Sequence, residues 1–419
     1  MTTADVIASL RRWMEFDGGG GKLAEATAAM QAIDAATFEI RLKRPFPGML
    51  AVLAAAPSRF AAVMRAGDIT GERRPVTSAI GSGPFRYVAS GRVSGSRVVW
   101  ERNPDYVPRP EPPDGLAGGR VAKVDRVEWQ ILPDPSTVAA ALLHGEVDFV
   151  ERMSLDLMPV VAKDPGIVLR RLSPLSDQTM LRANSLQPPV NDVRARQALN
   201  YIVDQGDAMG AAFGDPANWQ RCNAFFLCGG PYGTEAGAEG FHQDFAKARA
   251  LLAEAGYNGE KLVFIASHDN TNGVMSEVAQ DAMAKAGLNV EMVWSDWVTV
   301  VGRALNQGPP AAGGWNLRVT STPGAPTASP QTNAGADMSC NRRNFSGWPC
   351  DEEAERLRAL FLDADAGARP ALLQQLHRRL AEMAPYRVLG QSIGSSAWRS
   401  NVGGVLASPV AAYWNIEKK

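Results

Sequence analysis

The run TMLRANSLQPPVNDVRARQALNYIVD, residues 179–204, changes periodicity in its middle. Met180-Leu181-Arg182-Ala183-Asn184 alternates apolar and polar residues and reads as an extended strand. Pro188 and Pro189 forbid a helix immediately after it. Asp192 stands where an N-cap belongs, and Val193, Ala195, Ala198, Leu199 and Ile202 then fall at helical spacing. A strand, a proline turn and a capped amphipathic helix are a common device, and the chain on either side decides what it belongs to.

The chain on either side keeps that alternation. Toward the carboxyl end, a helix over Phe245–Ala255, a strand over Lys261–Ser267, a helix over Val274–Ala286 and a strand over Val290–Trp294 follow in order. A helix is expected over Trp297–Leu305, and two more over Glu352–Phe361 and Arg369–Met383. The last of these carries Leu372, Leu373, Leu376, Leu380 and Met383 as one apolar stripe, which belongs in a core. Tyr386–Ile393 reads as a returning strand. Toward the amino end, residues 4–14 form an amphipathic helix capped by Thr2 or Thr3. GGGGK (residues 18–22) reads as a flexible turn, since it lacks the hydroxyl residue and the flanking strand of a phosphate loop. Strands are expected over Thr37–Leu42, within 81–88, over 97–107 and over Val124–Leu132. The helix over Pro135–Leu143 ends where Gly145 accepts a left-handed conformation.

Composition narrows the function classes. With 419 residues, 45% hydrophobic and 21% charged, the chain is an ordinary globular sequence long enough for two or three domains. A net charge of -1 gives no reason to expect nucleic acid as a partner. The most apolar stretch, 49–64, is too short and too polar to span a bilayer. Cys222, Cys228, Cys340 and Cys350 form two local pairs in loops rich in Gly, Asn or Pro, which suits two small disulfide loops in an oxidising compartment. Free thiols and a four-Cys zinc site are the alternatives. The gaps are wider than the two-to-four residues typical of zinc sites, and His144, His242, His268 and His377 are scattered.

No catalytic constellation is present. Ser267-His268-Asp269 is consecutive, so neighbouring side chains on a strand point to opposite faces and cannot form a relay. HExxH, a Walker loop and a strand-borne GxGxxG are all missing from the sequence. No cofactor or metal is expected.

Several blocks, in order, resemble the family 5 extracytoplasmic solute-binding proteins, the peptide, opine and nickel class of ABC importers. They are TTADVIASLRRW (2–13), GSGPFRYV (81–88), RVVWERNPDYV (97–107), the helix-Gly-acidic-strand unit Ser136–Asp148, the opening run 179–204, KARALLAEAGY (247–257) and YWNIEKK (413–419). Each block alone is weak; their joint order is specific. The resemblance implies a two-lobed α/β periplasmic-binding-protein fold, type II and cluster C-like, with mixed sheets and a hinge. It implies a first lobe over residues 1–180, a second over 181–388, and a return segment over 389–419 that completes the first. Because TTADVIASLRRW resembles a segment well inside relatives, the chain is expected to lack their signal sequence and first strands. It also implies a periplasmic monomer that closes on a small solute between its lobes and passes it to the membrane permease subunits of an ABC importer. A receptor presenting ligand to a membrane sensor, or a chaperone-like binding protein, is the alternative on the same fold.

Candidate ligand contacts follow from that resemblance and from residue type. Arg182 and Asn184 lie on the strand expected to cross between lobes. Trp297, Trp315 and Ser321 offer aromatic surface and a hydroxyl. Peptide-binding members hold the peptide amino group with an aspartate shortly after a tryptophan. Here the corresponding run is Trp315-Asn316-Leu317-Arg318-Val319-Thr320, so Arg318 stands in the acid's place and reverses the sign of the charge.

Overall fold

A computed structural model describes all residues except 55–59, 70–75, 77–79, 269 and 341–346. The chain divides into two units: Met1–Pro174 with Gly394–Lys419, and Leu175–Ile393. The boundaries expected from sequence, 180 and 388, cut through two strands that belong whole to the second unit, Asp177–Ala183 and Tyr386–Ser392. Those strands pair with each other over almost their full length, so the chain parts outside them.

In the first unit, helix Thr3–Phe16 begins with a capping box in which Thr2 and Asp5 satisfy each other's backbone donors. The glycine run expected to be a turn is instead the start of a helix, Gly18–Ala26, capped by the Asp17 side chain. The reason is close packing: a Cβ at Gly20 would lie 2.8 Å from the Trp13 carbonyl oxygen, an approach only glycine permits. Strands Thr27–Ala32 and Phe38–Leu42 pair antiparallel, and Phe85–Tyr87, Arg97–Arg102 and Arg126–Gln130 form a three-stranded meander. Helix Pro135–His144 is capped by Asp134 and ends at Gly145 with φ 79°, as the sequence implied. The carboxyl segment re-enters this unit as strand Ser396–Arg399, which pairs with both Phe149–Val150 and Ile167–Arg170.

The second unit is built on one mixed sheet. We label its strands β1 (Asp177–Ala183), β2 (Trp219–Gln220), β3 (Leu262–Ser267), β4 (Val290–Ser295), β5 (Leu317–Thr322) and β6 (Tyr386–Ser392). The order is β4-β3-β5-β1-β6-β2. β3 runs parallel to β4 and β5, whereas β1 is antiparallel to both β5 and β6. Helices cover both faces. On one face, the helix capped by Asp192 (Val193–Ala198) and the helices Gln205–Phe213, Phe245–Glu254 and Thr271–Lys285 pack on Leu181, Ala183, Leu317 and Val319. On the other, helices Glu352–Asp363 and Arg369–Met383 pack on Met180, Tyr386 and Val388 together with Phe225 and Phe226. The expected leucine stripe of the last helix is therefore core. Among the described residues no helix is long and apolar enough to cross a membrane.

Both local cysteine pairs are disulfides, Cys222–Cys228 and Cys340–Cys350. Gln205 holds the first bridge against the sheet: its side-chain amide donates to the carbonyls of Cys222 (2.7 Å) and Val388 (2.9 Å) and accepts from the Cys222 amide (2.8 Å). Such short loops restrict the unfolded chain by about 2–3 kcal/mol each on the entropic account. Peptide mapping of oxidised protein without reductant should return these two bridges and no cross-pairs. A Cys222→Ala/Cys228→Ala variant should melt several degrees lower.

Candidate functional site

The site grows out of the pairing of β1 with β5. Their antiparallel register sets Ala183 against Leu317, Arg182 against Arg318 and Leu181 against Val319. Side chains alternate across a strand, so the apolar partners go to one face and the two arginines share the other. Directly opposed residues have Cβ atoms about 4.5–5.5 Å apart. Two guanidinium groups are thus held side by side on the sheet, with Tyr386 of β6 next in the row beside Arg182.

Both are buried, Arg182 to 4% exposure and Arg318 to 6%. Among the described residues neither has an ion-pair or hydrogen-bond partner, and Arg182 Nε and Nη2 and Arg318 Nε are buried without one. What surrounds them is aromatic. The Trp348 ring lies 5.4 Å and the Tyr386 ring 6.0 Å from the Arg182 guanidinium carbon, and the Trp315 ring lies 5.5 Å from that of Arg318. Cation–π contact offsets part of the desolvation and leaves the charge unneutralised. Burial lowers the pKa of Arg182 to about 10. It lowers that of Arg318 to about 9, with the positive charge of Arg182 as the further cause. Both are still cations at neutral pH.

Other arginines with little exposure in this unit each have at least one hydrogen-bond or ion-pair partner. Arg196 donates to the carbonyls of Val190, Asn191 and Met383. Arg358 lies between Glu355 (2.6 Å) and Asp337 (3.5 Å), and Arg387 donates to Asn223 (2.6 Å) while its Nε is buried without a partner. The Arg182–Arg318 pair departs from that practice.

The remaining sequence candidates take several places. Trp315 is fully buried against Ile265, Val300 and Ala304, with Trp297 at the edge of the cluster; its indole N–H donates to the Ala304 carbonyl (3.2 Å). Trp315 meets the site only through the ring beside Arg318. Asn184 ties the end of β1 to the loop before β5, donating from its side chain to Trp315 O (3.1 Å) and from its backbone to Asn316 O (2.8 Å). Ser321 lies on the opposite face, bonded to Thr179 (2.8 Å) and Asn272 (2.7 Å). Two neighbours of Arg182 are far away in sequence: the sheet register brings in Tyr386, and Trp348 comes from a loop held by the Ser185 hydroxyl, which donates to its carbonyl (2.7 Å). Asp269 of the Ser-His-Asp run lies outside the described residues, and the His268 ring stacks on Trp294 at 4.1 Å. Cys222, Cys228 and Glu235 come close enough to hold a metal ion, but the two sulfurs are bonded to each other and are not thiolate ligands.

Comparisons with known proteins define the class of the chain. The sequence model of the bacterial extracellular solute-binding proteins, family 5 Middle, matches residues 1–337. The chain is 35% identical to a probable peptide ABC transporter periplasmic-binding protein of Sinorhizobium fredii, over all of this chain and 79% of that one. It is 28% identical to a glutathione-binding protein of Pectobacterium atrosepticum over 64% of this chain and 48% of the relative. Among solved structures, the periplasmic binding protein AgaA in complex with agropinic acid, from A. tumefaciens R10, superposes with a TM-score of 0.82 at 22% identity, over all of this chain and 83% of its own. The chain belongs to the family 5 extracellular solute-binding proteins. It has their two-lobed α/β fold, and its function is to bind a solute for an ABC-type importer.

The two kinds of polar residue here respond oppositely to mutation. Arg318→Met or Arg182→Met removes an uncompensated buried charge and should stabilise the ligand-free protein by about 1–3 kcal/mol. Asn184→Ala strands the carbonyl of Trp315 and should destabilise it by about 1–3 kcal/mol. Urea denaturation of ligand-free samples checks both signs.

Proposed function

We propose that this protein acts outside the cytoplasm as a monomeric receptor that captures a small anionic or hydrogen-bonding solute and hands it to the membrane permease subunits of an ABC importer. Arg182 and Arg318 are the proposed ligand contacts, and Trp315, Trp348 and Tyr386 are the aromatic walls that hold them. Asn184 supports the site from behind. Trp297 and Ser321 are assigned to the scaffold.

The observation that carries this reading is the buried, unneutralised arginine pair. An uncompensated buried charge costs several kcal/mol, and a bound anion that accepts from it recovers that cost. The same pair disfavours a free amino terminus, because a third cation beside two guanidinium groups adds repulsion in a medium of low dielectric. Periplasmic residence is supported by the location in the relative's name and by two disulfides, which persist in oxidising compartments.

Native mass spectrometry of protein purified from its own host should reveal a co-purifying small molecule with anionic groups. In calorimetric titration, unmodified dipeptides and tripeptides should bind weakly or not at all. Arg318→Ala should weaken the co-purified solute about tenfold or more. Micromolar binding of unmodified peptides, undiminished in Arg318→Ala, would overturn the reading.

A further inference from the structure

The charge balance of the arginine pair says more about the solute than its sign. Arg182 and Arg318 sit directly opposite each other, and among the described residues no acid forms an ion pair with either. Among the described residues, the groups shown beside the pair are the neutral rings of Trp348 and Tyr386 at Arg182 and of Trp315 at Arg318. Tyr386 donates its proton to the Phe225 carbonyl (3.0 Å) and accepts from Asn333 (3.2 Å), so it is committed elsewhere. From β5, Thr320 is the next residue on that face, a buried hydroxyl one pleat along. The site therefore holds two positive charges, whereas the same unit supplies two acids to the single guanidinium of Arg358.

A monoanion bound here would leave one cation buried and uncompensated. A group with two negative charges removes both. Its size is set by the strand pairing, since the two arginines stem from Cβ atoms only about 4.5–5.5 Å apart. The aromatic rings beside the two guanidinium groups offer no oxygen acceptor through their π-faces, so the unpartnered N–H groups Arg182 Nε and Nη2 and Arg318 Nε are the donors for such a group. Building on the proposed role of the pair as ligand contacts, we infer that the solute carries a compact dianionic group, seated between Arg182 and Arg318 and accepting from both. A phosphate monoester and two closely spaced carboxylates share this chemistry.

The test uses the full chain, stripped of solute by unfolding and refolding, and reads the melting temperature with matched probes. Methyl phosphate is compared with dimethyl phosphate, and succinate with its monomethyl ester. At about pH 8 one dianion should raise the melting temperature by several degrees, and its monoanionic partner should leave it nearly unchanged. If the source is a phosphate, the response to methyl phosphate should fall between about pH 8 and about pH 5, as the second proton binds near pH 6. If it is a dicarboxylate, succinate should act and methyl phosphate should not. Arg182→Met and Arg318→Met should each abolish the response without melting lower than the parent. Equal responses to dianion and monoanion, or none to either dianion, while both variants still weaken the host-derived solute, would overturn the dianion inference and leave the arginine site standing. Undiminished binding of the host-derived solute in both variants would overturn the arginine site itself.

Discussion

The register between β1 and β5 is the constraint on which the site depends. With Leu181 and Val319 packed into the apolar core on one face, Arg182 and Arg318 have nowhere to go but the other. A slip of one residue would drive both arginines into the apolar cluster of Leu181 and Val319 and remove those side chains from it, so hydrophobic packing fixes the position of the charges. The juxtaposition of two like charges is unfavourable by itself. The sheet can hold it because the remainder of the row and its flanks bury apolar and aromatic surface.

That register is reinforced by polar side chains acting as braces. Asn316 accepts the Val263 amide (2.8 Å) and donates to the Pro188 carbonyl (3.0 Å), tying β5 to β3 and to the turn after β1. Asn184 joins the ends of β1 and β5, and Ser321 joins Thr179 to Asn272 at their other ends. Each is satisfied, and Asn184 and Asn316 are fully buried, which is how buried polar groups give uniqueness to a fold. Against that background a pair of buried arginines with nothing to donate to among the described residues is a departure, and departures of this kind gather where a ligand supplies the missing partner.

Much of the fold was legible because it is periodic. The helix capped by Asp192, the leucine stripe of Arg369–Met383, the stop at Gly145 and strands β3 and β4 all follow from spacing and capping. What was illegible has physical causes. β5 carries Arg318, Thr320 and Ser321 and reads as a polar loop, yet it is an inner strand; its composition reflects one apolar face and one site face. GGGGK reads as a turn because glycine disfavours helices, and a tight approach to Trp13 overrides that preference. Arg182 and Arg318 were each singled out by type and resemblance, but their facing one another depends on a pairing of strands separated by more than a hundred residues. Trp315 suggested a pocket wall by its setting among glycines, and most of its surface is spent on the core beside Ile265 and Val300.

The account stands on one claim, that the buried arginine pair is completed by the solute. The most direct measurement is a crystal structure of the protein with the molecule it carries from its host. The account predicts anionic oxygens of that molecule within about 3 Å of nitrogen atoms on both Arg182 and Arg318. A solute seated elsewhere, with the two guanidinium groups bonded to protein carboxylates or left as they are, would contradict it.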